Sequence, residues 1–215
     1  HLDKESTGTD ALTGNAAAYA SLRTWATANE GNDAHEALLF LLEELPTITP
    51  LFRIIQHQVT TVAQRPLRKK LKIVHELIIP FYTDGGLPVI LQHLSRPVPT
   101  QEDPTIAYSL QTKTTPHILM IYIQRLWPDG RVCGRAIVYG QRLEYGGARY
   151  SLRGALQCHT HSGGHYTAVV CRGESYYGCN DNRVTPLTRG EAFSAYNEYG
   201  SPNRVQLLMY AEVRS

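Results

Sequence analysis

The spacing of apolar residues changes along this chain. In the run 16–28, rich in alanine, Leu22 and Trp25 lie three apart, as one face of a short helix requires. Ala34, Leu38, Leu41, Leu42 and Leu45 then form a second stripe that ends at Pro46. Asp33 with Glu36 three residues on reads as a capping box and sets the start of that second helix. Residues 1–15 are small and polar and are expected to be flexible, and 50–61 fits neither a helical nor a strand period. Residues 71–80 and 87–94 read as a strand and a short helix, separated by the turn Asp84-Gly85-Gly86. After the proline-rich stretch 96–104 the texture becomes β, with strands expected at 118–126, 135–139, 150–159, 166–171, 175–179 and 205–213. Helices first and strands afterwards predict an α+β fold with an antiparallel sheet rather than a repeated strand-helix-strand unit. No internal repeat or low-complexity segment breaks the chain, so a single domain with two lobes is expected over 1–215.

Composition narrows the functions open to such a chain. Its 215 residues, 42% hydrophobic, suffice for one domain with a core. A net charge of +2 is too small to argue for nucleic acid, and no apolar run approaches the roughly 20 residues of a membrane span, so neither partner is expected. Cys133, Cys158, Cys171 and Cys179 form no CxxC pair, which speaks against a zinc ribbon or a thioredoxin-type site. They are read as reduced, mostly structural thiols, with disulfides left open. The chain opens on His1 without a signal-peptide pattern, which reads as a fragment or a trimmed product; the compartment stays unassigned, with an intracellular one favoured. The cluster Arg65, Arg68, Lys69, Lys70 and Lys72 would suit RNA or an acidic partner, but without interleaved aromatics it is read as a solvated strand or loop.

Candidate chemistry gathers in 150–184. The turn Ser162-Gly163-Gly164 runs into His165 and Tyr166, and Asn180-Asp181 follows on a later predicted strand. A histidine placed at a strand start by such a turn can take a proton from a thiol, and an Asn or Asp on the neighbouring strand would fix its tautomer. That is the base and orienter half of a cysteine-protease site, and no cysteine stands where the nucleophile is needed. His159 and His161 are weighed as metal ligands with His165, but no carboxylate or cysteine spacing completes a set. They are read as a solvated loop, and no metal or cofactor is expected. Cys158, Cys171 and Cys179 are weighed as displaced nucleophiles; a strand cysteine lacks the helix N-terminus that lowers a thiol pKa, so buried core thiols are the reading.

Several motifs, in the same order along the chain, resemble the ubiquitin-specific protease family, papain-like deubiquitinases built as thumb, palm and fingers. Asn32-Asp33-Ala34-His35-Glu36 and the leucine-rich helix after it are similar to the family's Gln-Gln-Asp-Ala-His-Glu-Phe-Leu box, with Asn32 for the second Gln and Ala37 for Phe. The segment 116–126, ending in Gln124-Arg125-Leu126, is similar to the strand that ends in Leu-Lys-Arg-Phe. Residues 150–155 and His159 look like the strand entering the family's histidine box, and Gly164-His165-Tyr166-Thr167-Ala168 resembles its centre. Residues 176–184 resemble the segment Trp-Tyr-x-Phe-Asp-Asp-x-x-Val, and 206–210 the closing Tyr-x-Leu-Phe-Tyr strand.

The resemblance implies a papain-like α+β fold with 16–58 as thumb-like helices, 59–112 as reduced fingers or a linker, and 113–215 as a palm-like sheet. It implies His165 as general base, Asn180 as its orienter and Asp181 as a neighbouring polar group. Asp33 would accept the basic tail of ubiquitin or a ubiquitin-like modifier, Tyr166 would line that tail's cleft, and 160–164, with Gly163 and Gly164, would form a blocking loop that moves as the tail enters. In such an enzyme a thiolate attacks the carbonyl after the modifier's last glycine, the histidine protonates the departing lysine amine, and water releases the acyl-enzyme.

Two departures change the expected function. The family's fingers often hold zinc between two cysteine pairs, whereas 59–112 contains no cysteine, so a finger here would be shortened or metal-free. The family's Gly-Asn-Thr-Cys-Tyr-x-Asn-Ser box has no true copy either. Read without gaps, 14–21 keeps Gly14, Asn15 and Ser21 and puts Ala17 at the nucleophile; a one-residue insertion would put Ala18 there. The chain as it stands is therefore expected to be inactive. Two readings follow: a domain of deubiquitinase descent whose nucleophilic cysteine is supplied outside this chain, or a pseudo-protease serving as a scaffold or interaction subunit in a larger assembly.

Overall fold

A computed structural model describes residues 20–21, 24, 34–63, 65–80, 85–99, 103–125, 133–159, 165–193 and 204–214. The chain divides into two compact units, His1–Pro50 and Leu51–Ser215. In the first, Ala20, Ser21 and Thr24 are helical, and α1 spans Ala34–Glu44 with Leu42 buried. After α1, the Thr49 hydroxyl donates to the Leu42 carbonyl at 2.6 Å, and the Leu45 carbonyl accepts from the Ile48 N–H at 3.0 Å, so two carbonyls at the helix end are bonded. Most of the helix expected at 16–28, the flexibility expected of 1–15, and the capping residue Asp33 lie outside the described residues.

The second unit is mostly sheet. Its elements in chain order are β1 (Ile54–Val62), β2 (Arg65–Val74), β3 (Leu77–Ile79), β4 (Gly85–Gly86), α2 (Leu87–Leu94), β5 (Val98–Pro99), β6 (Ile106–Thr114), β7 (Ile118–Ile123), β8 (Ile137–Val138), β9 (Arg142–Tyr145), β10 (Ala148–Cys158), β11 (Tyr166–Arg172), β12 (Ser175–Asn180), β13 (Arg183–Leu187), α3 (Arg189–Ala192) and β14 (Val205–Glu212). The larger sheet runs β13-β12-β11-β10-β14-β7-β3, with β9 also paired to β10. Every pair in it is antiparallel except β3 with β7. The antiparallel sheet expected from the β texture is present, and the helix expected at 87–94 is α2.

The core lies on one face of this sheet. Leu87, Ile90 and Leu91 of α2 sit at the spacing of one helical face and are buried with Ile79, Leu119, Ile121, Ile123, Ile137, Leu208 and Tyr210. Each such side chain contributes about 1.5–3 kcal/mol when fully removed from water. Two tyrosines buried among them keep their hydroxyls bonded: Tyr150 donates to the Pro116 carbonyl at 2.7 Å and Tyr210 to the Gly140 carbonyl at 2.8 Å.

Residues 54–114, where the sequence pattern was ambiguous or read as reduced fingers or a linker, supply a second sheet of order β2-β1-β6-β5. It joins the larger sheet's β9 through Tyr145, whose hydroxyl accepts from Gln56 Nε2 at 3.1 Å and bonds Thr112 Oγ1 at 2.6 Å. The turn after Tyr145 uses Gly146 and Gly147 at φ 59 and 85, as a two-residue hairpin with both central residues left-handed demands.

Candidate functional site

Strand register decides which of the sequence-derived residues meet. β10 and β11 pair with Cys158 opposite Tyr166, and the ladder continues one step further, the His159 N–H donating to the His165 carbonyl at 2.9 Å. His159 therefore faces His165, and their rings lie 5.8 Å apart, centroid to centroid, tilted by 56°. β11 and β12 pair with Thr167 opposite Asn180. Directly opposed residues share a face, as do residues two apart on a strand, so His159, His165, Thr167 and Asn180 occupy one face at one end of the sheet. The structure thus brings His165 and Asn180 together as diagonal neighbours, about 7–8 Å apart by strand geometry. No hydrogen bond joins their side chains, and both are half-buried. Asp181 stands just beyond, exposed, as the first residue of the β12–β13 turn with φ 50, a left-handed conformation that Asp tolerates better than most residues. Tyr166, one residue out of phase, points to the opposite face from His165.

A side-chain network orders this end of the sheet. His159 Nε2 lies 2.5 Å from Thr167 Oγ1, and Arg204 Nη1 lies 2.9 Å from His159 Nδ1. A guanidinium can only donate, so Nδ1 must accept, and His159 is the neutral tautomer with its proton on Nε2, donated to Thr167. Thr167 is buried and holds the middle of the cluster, directly across from Asn180. His159 is therefore a half-buried, doubly bonded side chain, which corrects its reading as part of a solvated loop. Sequence reasoning also missed Thr167 and Arg204. Alternation places Thr167 on the same face as His165, but the value of that position shows only once β12 is set against it. Arg204 arrives from the far side of the 194–203 segment, with no local signal to mark it.

All four cysteines are free thiols, and Cys133 alone is fully buried; the other three are half-buried rather than core. Cys158 pairs with Tyr166 and Cys179 with Ala168, which puts both thiols on the face away from His165 and Asn180. Cys171 is at the far end of β11, roughly 20 Å along the strand by its rise per residue, and donates to the Gly173 carbonyl at 3.3 Å. None of these three is placed as a displaced nucleophile for His165. Arg125, from the segment similar to Leu-Lys-Arg-Phe, is buried, its guanidinium donating to the carbonyls of Val205 at 2.9 Å, Cys133 at 3.3 Å and Arg135. It braces the start of β14 rather than the candidate site. Among the described residues no group of three or more His, Cys, Asp or Glu side chains is arranged to hold a metal ion. Ala17, Ala18, Asp33, His161, Gly163 and Gly164, with the blocking loop 160–164, lie outside the described residues.

No family model and no curated protein matches the chain. Solved structures do. The chain is similar to the SAGA DUB module Ubp8/Sgf11/Sus1/Sgf73 bound to monoubiquitin, with a TM-score of 0.72 and 15% identity over 85% of this chain and 49% of that one. It is likewise similar to the Ubp8-Sgf11-Sgf73-Sus1 SAGA DUB module, at TM-score 0.71 and 17% identity, covering 85% of this chain and 49% of that one. A yeast SAGA DUB module carrying an Sgf73 variant gives TM-score 0.72 and 15% identity, with 85% and 51% covered. The chain spans about half the length of these solved chains. At such identities the likeness is one of fold: a mostly-sheet domain with few helices, shared with the Ubp8 deubiquitinase module.

Proposed function

We propose that this chain is a papain-like, ubiquitin-specific-protease-type domain of deubiquitinase descent, recognising ubiquitin or a ubiquitin-like modifier at the end of the sheet that carries His165 and Asn180. The observation that carries the reading is the register. The two residues assigned by resemblance as base and orienter come from different strands, yet they share one face and one end, beside the bonded pair His159 and Thr167. In this role His165 exchanges a proton with the nucleophile and the leaving amine, Asn180 orients the imidazole, and Asp181 adds a polar group at the rim. The thiol comes from outside this chain, whose sequence has no true copy of the family's Cys box; if 14–21 is a degenerate one, Ala17 or Ala18 stands at the nucleophile position.

A second reading, a catalytically inactive scaffold or interaction subunit, is favoured by the same alanines and by large apolar side chains left in water, among them Leu67, Leu71, Ile73 and Val184. One experiment separates the two. The full-length parent protein is incubated with ubiquitin bearing a cysteine-trapping warhead at its C-terminus and read by intact mass, alongside a ubiquitin titration. A covalent adduct is the expected result for an enzyme completed elsewhere in the parent protein. Binding without an adduct, in folded protein, leaves the scaffold reading. Absence of both binding and adduct at physiological salt rejects modifier recognition altogether.

A further inference from the structure

β2 carries chemistry that neither the core nor the candidate site uses. It is the outermost strand of the four-stranded sheet: β1 pairs with one side, and among the described residues no strand pairs with the other. Nine of its ten residues are exposed. Its outward N–H and C=O groups are therefore a ready template for another strand. Leu67, Leu71 and Ile73 are 73%, 57% and 54% exposed and lie among the cations Arg65, Arg68, Lys69, Lys70 and Lys72. With Lys113 on β6, the strands of this sheet hold six Lys and Arg and no Asp or Glu, in a chain whose net charge is only +2. The ion pairs His117–Glu212 and Arg214–Glu212 involve none of this sheet's strand residues.

Lysines on an open edge commonly discourage pairing with another chain. Charge alone serves that purpose, and exposed leucine and isoleucine on the same edge defeat it. The combination fits a partner that offers negative charge and apolar contact together. RNA would match the cations but would leave Leu67, Leu71 and Ile73 in water, and β2 has no aromatic ring for a base to stack on.

We propose that β2 is a docking edge that takes an extended acidic segment of a partner protein by strand addition. The segment pairs its backbone with β2, sets carboxylates against Arg68, Lys70 and Lys72 on one face, and lays apolar side chains beside Leu71 and Ile73 on the other, because residues two apart share a face. This docking does not depend on the deubiquitinase reading, since the sheet contributes none of His159, His165, Thr167 or Asn180.

The test uses the whole chain and a synthetic peptide that alternates glutamate with valine. Two further versions of the peptide are N-methylated at alternate residues, one in each frame, and a single-stranded oligouridylate is the nucleic-acid comparison. Strand addition predicts that the parent peptide binds and slows hydrogen exchange over 67–73, and that one methylated frame is tolerated while the other loses binding. Lys70→Glu with Lys72→Glu weakens binding about tenfold or more, and Leu71→Ser with Ile73→Ser weakens it with the charge intact. All four positions are exposed, so both variants keep the wild-type circular dichroism. No binding, equal binding of the two methylated frames, or tighter binding of the oligouridylate overturns the proposal.

Discussion

At the scale of single residues, Thr167 is the test of whether the polar end of the sheet is organised as described. Its hydroxyl receives the His159 Nε2 proton, and Thr167 itself is buried. Thr167→Val keeps the shape and removes the acceptor, so it should cost about 1–3 kcal/mol, whereas Thr167→Ser should cost less than half of that. Urea denaturation of the two variants reads the difference, and equal stability of Val and wild type would show that the bond is not made. His165 and Asn180 were legible in the sequence because a glycine-rich turn and a short motif flag them locally. Thr167 and Arg204 were not, because their part depends on which strands become neighbours. The face taken by Cys158 and Cys179 was hidden for the same reason, since one step of register decides whether a strand thiol looks toward a histidine or away from it.

At the scale of elements, those with one clean period were legible. Helix α2 and strands β10, β11 and β12 follow from spacing and turn signals alone. β1 was not, because it shifts register twice, once against β6 between Ile55 and Gln56 and once against β2 between Thr60 and Thr61, and because it buries the polar Gln56. β2 was obscured by exposure on both faces, which leaves no alternation of apolar and polar positions to read. The β9–β10 hairpin offers the sharpest mutational contrast. A Cβ on Gly146 would come within 2.5 Å of Thr115 Cγ2, whereas one on Gly147 would meet nothing within 4 Å. Both glycines are left-handed, so both alanine variants carry backbone strain, but Gly146→Ala adds a clash at the joint between the two sheets. It should lose about 1–3 kcal/mol and exceed Gly147→Ala in thermal denaturation. Equal effects would mean that Tyr145 and the threonines do not pack as closely as described.

At the scale of the whole molecule, the buried phenols set the alkaline limit of stability. Burial pushes Tyr139 and Tyr150 from an ordinary 10.0 up to about 12, and it pushes Tyr210 up as well. A group whose folded pKa is raised gives stability that is complete below its unfolded value and is lost as pH climbs toward the folded one. Arg125 acts in the opposite sense: burial lowers it from 12.5 to about 10, so its share of stability grows over the same window. Three phenols outweigh one guanidinium, and denaturation midpoints should fall from about pH 10 upward, together with the rise of phenolate absorbance. Midpoints that stay level through that rise would place the tyrosines in water. The order of the larger sheet bears on how the molecule is made. β14, the last strand in the chain's own order, lies between β7 and β10 and holds them together. While the ribosome is still adding residues ahead of Val205, β7 and β10 are two open edges with a missing neighbour, the state in which nascent chains depend most on chaperones. A message cut short there would yield a protein fit for degradation rather than a weaker version of this one.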